Sequence, residues 1–184
     1  ISRSGWTGER GFEIYSKDDD FNGEALWQYL LCEGAPFQLM ASDVTSMHIR
    51  RLEAGILDYG TDIDQSLNPF ELGLGQFVDL SKDDFIGRRA LLETDRRATR
   101  VMGLRSHEVR PIRGDCLMNE AGDSLGAITA GAWSPSLDCG IGIIRLDRPI
   151  DPDVALRLRT ETGNFQAELC PLPFYDPQKR IPRL

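Results

Sequence analysis

The sequence predicts an α+β protein whose helices come first and whose second half is an antiparallel β structure, either a barrel or a sandwich. Helical periodicity is found before Asp95, and short alternating runs separated by turn residues follow it. With 184 residues the chain can form a buried core, and this length fits one domain or two small ones. We therefore expect one region at residues 1–95 and a second at residues 96–184.

The first predicted element is a strand over residues 12–16, which follows a glycine-rich turn. Side chains two positions apart share one face of a strand, so we expect Glu13 and Tyr15 to line one wall of a pocket. Phe12 and Ile14 lie on the opposite face, which we expect to enter the core.

Three helices are predicted before the β region, over about residues 21–34, 41–56 and 84–94. Gly34 stands where a C′ glycine would end the first helix. Ser42 or Asp43 can cap the start of the second helix, and Gly55 can end it.

The clearest hairpin of the β region lies in VALRLRTETGNFQAEL. Alternate residues of its two strands are expected to face inward: Val154, Leu156, Leu158, Phe165, Ala167 and Leu169. Gly163 and Asn164 are the residues expected to form the turn between the strands.

The composition argues against several classes of function. The formal net charge of −8 speaks against a nucleic-acid partner, because phosphate binding relies on clustered lysine and arginine. The longest apolar run is far shorter than a bilayer span, so we predict no membrane association. The cysteines and histidines show no metal-ligand spacing, and the scattered cysteines indicate buried, reduced thiols in a cytoplasmic protein.

The opening loop carries three candidate binding residues, Trp6, Glu13 and Tyr15, on a glycine-rich frame. A carboxylate accepts two roughly parallel hydrogen bonds and an indole offers a stacking face, so this group suits a flat heterocycle with adjacent N–H donors. The alternative is that Glu13 pairs with a surface lysine or arginine and that Trp6 only packs against its neighbours.

A second polar group lies in HIRRLEAGILDYGTDID, and it consists of Arg51, Glu53, Tyr59, Asp62 and Asp64. The alternative to a functional role is an ordinary helix surface with ion pairs three residues apart, followed by an acidic loop. The spacing alone favours that alternative.

Four further stretches occur in this order along the chain: SRSGWTGERGFEIY, RRLEAGILDYGTDIDQSLNPFELGLGQFVDL, DFIGRRAL and LGAITAGAWSPSLDCGIGI. Together they resemble the glycine cleavage T-protein (aminomethyltransferase) family, and the resemblance continues to PLPFY. Members of that family are about twice as long, so the chain resembles their C-terminal half and we expect an N-terminal half to be missing. The resemblance implies part of a folate-binding α/β domain, followed by a Greek-key-like antiparallel β-barrel.

The resemblance also implies a tetrahydrofolate-dependent one-carbon transfer from a lipoyl-carried or small-molecule donor. The family has an aromatic residue at the position of Trp6 and a folate-binding carboxylate at that of Glu13. Glu13 would orient the pterin, with Trp6 and Tyr15 as pocket walls. The catalytic aspartate of the family belongs to its N-terminal half, so we expect no catalytic residue here and an inactive fragment.

The segment before RRLEAG departs from the family pattern, because Ser42 stands where the family has a substrate-binding arginine. Arg51 and Tyr59 are then the nearby candidates for contact with the substrate. The absent arginine, with Trp6 and Tyr15, is more similar to the branch that contains dimethylsulfoniopropionate demethylase, which transfers a methyl group from sulfur to tetrahydrofolate. Aromatic rings suit its sulfonium cation.

A different class of function also stays open, since half of a cleft does not position two reactants. The chain would then be a non-catalytic folate-binding or assembly module. A partial first region would also expose apolar surface, and a second copy covering that surface would give a homodimer.

Overall fold

The computed structural model describes residues 1–17, 20–96, 99–150 and 155–183. Three α-helices come first: α1 (Gly23–Gly34), α2 (Val44–Glu53) and α3 (Arg88–Leu92). Six strands follow: β1 (Val101–Ser106), β2 (Cys116–Met118), β3 (Ser124–Ser134), β4 (Cys139–Leu146), β5 (Leu156–Thr160) and β6 (Gly163–Cys170). Short 3-10 helices lie at Ala35–Phe37, Gly75–Phe77 and Ile181–Arg183. No helix within these ranges is both long and apolar enough to cross a bilayer.

The six strands close into an antiparallel barrel in the order β1-β4-β3-β2-β5-β6. Three consecutive strands, β2, β3 and β4, lie side by side, and β1 returns beside β4, which is a Greek-key arrangement. The predicted α+β fold with an antiparallel barrel is therefore confirmed.

The barrel interior explains why these segments form strands. Every residue of β4 except Arg145 is buried, and β3 alternates between buried and accessible positions along most of its length. One core cluster lies inside the barrel and is formed by Leu104, Leu117, Leu125, Ile128, Ile144, Leu146, Leu156, Leu158 and Leu169. Burial of so many branched side chains is the main source of stability for this half of the chain.

The predicted hairpin is confirmed as β5 and β6, with Leu158 opposite Phe165 and Leu156 opposite Ala167. The turn differs from the prediction, because it lies at residues 161–162, while Gly163 already pairs with Thr160. Val154, the first predicted inward residue, lies outside the described residues.

Helix α2 begins and ends largely as predicted. The Asp43 side chain accepts a hydrogen bond from the Ser46 backbone N–H at 2.8 Å, which caps the helix. At the other end Gly55 has φ +63°, its N–H donates to the Leu52 carbonyl, and the Ile56 N–H donates to the Arg51 carbonyl. This is a Schellman motif, and it turns the chain toward the polar segment that follows.

A second core cluster joins α2 to the outside of the barrel. It consists of Leu52, Leu67, Val101, Ala130, Ala132, Cys139, Ile141, Ile143 and Phe174. Helix α2 contacts β3 and β4, and its buried residues are Arg51, Leu52 and Glu53. The charged side chains of Arg51 and Glu53 are therefore buried next to Leu52.

Three local predictions are wrong. Residues 12–16 do not form a strand, because only Glu13 pairs, in an isolated bridge with Ser2, and Phe12 and Ile14 are exposed. Gly34 is the last residue of α1 rather than a left-handed stop, and the left-handed residue is Gln38. The third helix is much shorter than residues 84–94, because Gly87 at φ +89° interrupts it.

Helix α1 has no buried residue, and within the described residues it packs against the turn that follows it. Trp27, Tyr29 and Phe37 expose large parts of their side chains. The predicted burial of the thiols holds for Cys139 alone, since Cys116 and Cys170 are half-buried and Cys32 is exposed.

Candidate functional site

The opening segment is a closed loop that lies against the end of α2. Two backbone hydrogen bonds of 2.9 Å join Ser2 and Glu13 and close the loop at its base. Near its tip Gly8, at φ +71°, packs so closely on Ala54 that an added Cβ would lie 2.4 Å from the Ala54 Cβ. The loop is therefore folded on itself and seated on α2.

Glu13 and Tyr15 are in direct contact at the base of this loop. The Tyr15 hydroxyl donates to Glu13 Oε2 at 2.6 Å, and the Ser4 hydroxyl donates to the same oxygen. Ser4 Oγ also lies 3.0 Å from Ser2 Oγ. Within the described residues Glu13 Oε1 has no hydrogen-bond partner, so one oxygen of the carboxylate is free to accept a donor.

The electrostatics of this group keep the carboxylate ionised. The hydrogen bonds from Ser4 and then Tyr15 lower the pKa of Glu13, while the bond to Glu13 raises the pKa of the Tyr15 phenol. At neutral pH the site is thus an anionic acceptor with a neutral phenol beside it. Such a site selects ligands that carry N–H donors.

Trp6 lies on the same loop with 38% of its surface exposed. Its indole N–H makes no hydrogen bond within the described residues, and the exposed part of the ring is accessible to a ligand. Of the three residues predicted to bind the cofactor, Glu13 and Tyr15 are in contact in the structure. Trp6 lies on the same loop.

Arg51 is buried, which counts against its predicted contact with the substrate. It donates to Asp62 Oδ2 at 2.7 Å and to the Ile56 carbonyl at 3.0 Å. Asp62 also accepts from the Asp58 N–H at 2.9 Å and from the Thr129 hydroxyl at 2.6 Å. These contacts satisfy the ion pair and join α2 to β3, so Arg51 has a structural role in this structure.

Tyr59 is exposed, with 66% of its surface accessible, and it pairs through its backbone with Ile63. Asp64 pairs instead with Arg145 of β4 at 2.8 Å. The second predicted polar group therefore does not form one site, because Asp62 pairs with Arg51 and Asp64 pairs with Arg145. Tyr59 is the member of this group that stays available to a ligand.

The arginine that does reach the loop is Arg50, which the sequence prediction missed. Its guanidinium pairs with Glu9 of the loop and with the buried Glu53, and it donates to Ser136 Oγ at 3.3 Å. It also lies over the Tyr175 ring, 5.1 Å from the centroid. Arg50 and Glu53 are three residues apart, which is the spacing that suggested an ordinary surface pair.

Glu53 shows why that interpretation was incomplete, since its side chain is almost fully buried. It accepts hydrogen bonds from the Ser134 hydroxyl at 2.5 Å and from the Ser136 N–H at 3.4 Å. The Arg50 network thus spans the opening loop, α2, the turn after β3 and the C-terminal segment. No short-range signal in the sequence links these four places.

A cleft of about 490 Å³ lies between the loop and the start of α2. It is lined by Thr7, Glu9, Ser42, Asp43, Val44, Ser46, Met47 and Arg50. Ser42, the residue that departs from the family pattern, is on its wall. The cleft therefore combines hydroxyl groups, two carboxylates and one guanidinium with an apolar side.

Comparison with known proteins gives consistent matches along the chain. The family model for the GCVT N-terminal domain matches residues 1–82, and that for the glycine cleavage T-protein C-terminal barrel domain matches residues 99–176. The aminomethyltransferase of Saccharopolyspora erythraea is 34% identical over 95% of this chain and 48% of its own length. That of Streptomyces avermitilis is 36% identical over 97% of this chain and 50% of its own length.

A solved structure has the same fold. The crystal structure of glycine cleavage system aminomethyltransferase T from Bartonella henselae matches with a TM-score of 0.79 and 26% identity, over 95% of this chain and 49% of that one. The chain thus spans about half the length of the relatives that it matches.

Proposed function

Because the chain belongs to the glycine cleavage T-protein family, we propose that it is the C-terminal half of a tetrahydrofolate-dependent one-carbon transferase of the aminomethyltransferase type. The observation that carries this proposal is the Glu13 carboxylate, which two hydroxyl groups hold through Oε2 while Oε1 has no partner among the described residues. The proposed division of the chain remains residues 1–95 for the folate-binding region and 96–184 for the barrel.

The residues of the loop fit a reduced pterin. Its amino group and ring N–H are adjacent donors, and a carboxylate accepts such a pair. Glu13 Oε1 can accept one of them without rearrangement, whereas a second bond to Oε2 requires the Ser4 or Tyr15 hydroxyl to turn away. Trp6 and Tyr15 would form the walls of the pterin pocket. Tetrahydrofolate, when bound, supplies the N5 nitrogen that accepts the one-carbon unit.

In this proposal the chain contributes positioning rather than proton transfer. Glu13 would fix the orientation of the pterin, and the cleft beside the loop, with the exposed Tyr59 as a further candidate contact, would receive the one-carbon donor. That donor is either lipoyl-carried or a small molecule.

The second candidate is a methyltransferase similar to dimethylsulfoniopropionate demethylase. Ser42 on the cleft wall, in place of an arginine, and the exposed indole of Trp6 favour it. A non-catalytic folate-binding or assembly module is the third possibility. Turnover with a sulfonium donor, against turnover with an aminomethyl donor, distinguishes the two enzymes, and binding without turnover by the complete protein identifies the module.

The exposed side of α1 supports the proposal that a further part of the fold is needed for activity. Trp27 and Tyr29 on α1 are accessible, and so are Phe12 and Ile14 of the loop. An N-terminal half like that of the relatives would cover such a face. Alternatively, a second copy of the chain covers this face in a homodimer. Light scattering that shows a monomer at high concentration would count against the homodimer.

Glu13→Ala is expected to weaken tetrahydrofolate binding at least about fivefold, because the N–H donors of the pterin lose a charged acceptor. Calorimetric titration of the 184-residue chain measures this directly. Tyr15→Phe is the matched control, since it keeps the carboxylate and removes one of its two donors, and its effect should be smaller.

Equal affinity of the Glu13→Ala variant and the parent chain would remove Glu13 from the site. Absence of binding by both would mean that the half-site is incomplete, and the titration is then repeated with the N-terminal half of an aminomethyltransferase relative present.

A further inference from the structure

The opening loop is attached to α2 at two independent points near its tip. Gly8 packs against Ala54 with no room for a side chain, and the next residue, Glu9, forms an ion pair with Arg50. At the base the loop is closed by the two backbone hydrogen bonds between Ser2 and Glu13. Near the base Arg3 donates to the Pro182 carbonyl at 3.4 Å. The attachments of the tip hold the loop on α2, and with it the position of Glu13 relative to this helix.

Arg50 is itself fixed from several sides. Glu53 is buried and accepts hydrogen bonds from the end of β3 and from the turn after it. It pairs with one nitrogen of the Arg50 guanidinium, and the Tyr175 ring lies against this guanidinium. An arginine held in this way is pre-organised to bind a carboxylate, because its planar guanidinium is already fixed in orientation. Glu9 provides that carboxylate from the loop.

We propose that the Glu9–Arg50 ion pair is a latch that fixes the opening loop on α2, so that Glu9 and Arg50 are positioning residues for ligand binding at Glu13. This inference rests on the proposed function for its ligand, but the attachment of the loop can be measured without any ligand. The pair is partly accessible, with 42% of the Glu9 side chain and 26% of the Arg50 side chain exposed.

Partial exposure has a consequence that separates a latch from a merely structural contact. Salt screens an accessible ion pair, whereas the apolar packing of Gly8 on Ala54 is insensitive to it. Ligand binding by the parent chain should therefore weaken with salt more steeply than binding by a chain that lacks the Glu9 charge.

The test uses Glu9→Gln, which breaks the loop end of the network and leaves Arg50 paired with Glu53. We expect faster amide hydrogen exchange in residues 1–17, unchanged exchange in the barrel strands, and tetrahydrofolate binding weakened up to about fivefold at low salt. Between about 50 mM and 500 mM salt the difference from the parent chain should shrink. Glu9→Asp, which keeps the charge, should restore part of the affinity.

Gly8→Ala provides a second variant that acts through packing instead of charge. It should also free the loop in the exchange experiment, but its binding defect should persist at high salt. Glu93→Gln is the matched control, because it removes an ion pair with Arg89 on the surface of α3, and it should change neither exchange in the loop nor binding.

Unchanged exchange of residues 1–17 in Glu9→Gln would overturn the latch, and so would exchange that rises equally throughout the barrel. If the parent chain binds no tetrahydrofolate, either alone or with the N-terminal half of an aminomethyltransferase relative present, while the loop is freed as expected, the latch stands and the proposed ligand falls. If binding occurs and salt affects parent and Glu9→Gln alike, the positioning role falls and the proposed function stands.

Discussion

Asp62→Ala is expected to lower the free energy of unfolding by about 3–5 kcal/mol, because it leaves a buried guanidinium without its counter-ion. Arg51 is 3% exposed and has Asp62 as its carboxylate partner. The Asp58 N–H would lose its acceptor as well, and the Thr129 hydroxyl would keep the Ile143 carbonyl as its acceptor. Urea unfolding, followed by circular dichroism, measures the change.

Two companion variants show whether the buried charge is the cause. Asp62→Asn keeps the shape and part of the hydrogen bonding but removes the charge, so its loss should be intermediate. Glu93→Ala removes an exposed partner of Arg89, and its effect should stay within about 0.5 kcal/mol. Equal losses in Asp62→Ala and Glu93→Ala would contradict the assignment of Arg51 to a buried structural pair.

Gly140→Ala is expected to destabilise the barrel by about 3 kcal/mol or more, because the added methyl group meets backbone that cannot move aside. A Cβ at Gly140 would lie 2.0 Å from the Val109 carbonyl oxygen and 2.7 Å from Pro111 Cδ. Gly140 also pairs with Ser106 of β1 and Trp133 of β3, so the strand cannot shift without breaking both ladders. Thermal unfolding and urea unfolding should agree on the loss.

Gly23→Ala is the control for this second change. The nearest atom to its added Cβ would be a side-chain carbon of Phe21 at 3.6 Å, which is an ordinary contact. Gly23 is the first residue of α1, where alanine favours the helix by up to about 1 kcal/mol. A loss in Gly23→Ala comparable to that in Gly140→Ala would contradict crowding by the backbone around Gly140 as the cause.

The antiparallel β structure of the second half could be predicted from the residue pattern, because some of its strands carry a clear signal, whereas the choice of a barrel over a sandwich came from the family resemblance. Leu156 and Leu158 alternate with arginines, and β4 begins with the apolar run CGIGII. The segment at residues 12–16 carries the same alternation, yet it forms one bridge. A strand needs a neighbour as well as a pattern, and sequence shows only the pattern.

The candidate site was predictable to the same extent. The two-residue spacing of Glu13 and Tyr15 predicted a shared face, and their side chains are in contact. The sequence could not show which of Arg50 and Arg51 faces the cleft. Neighbouring positions of a helix point in directions about 100° apart, and either one can face the core. Here the packing of α2 on the barrel buries Arg51 and leaves Arg50 at the cleft.

The core cluster shared by α2 and the barrel limits how modular the two halves of this chain can be. Leu52 and Leu67 belong to the first region, yet they are buried among residues of β3 and β4. The Asp62–Thr129 and Glu53–Ser134 hydrogen bonds cross the same border. A barrel transplanted into another protein would carry an apolar flank, and its Thr129 and Ser134 hydroxyl groups would lose their carboxylate acceptors. Recombination that exchanges this barrel has to carry α2 and the loop after it as one heritable unit.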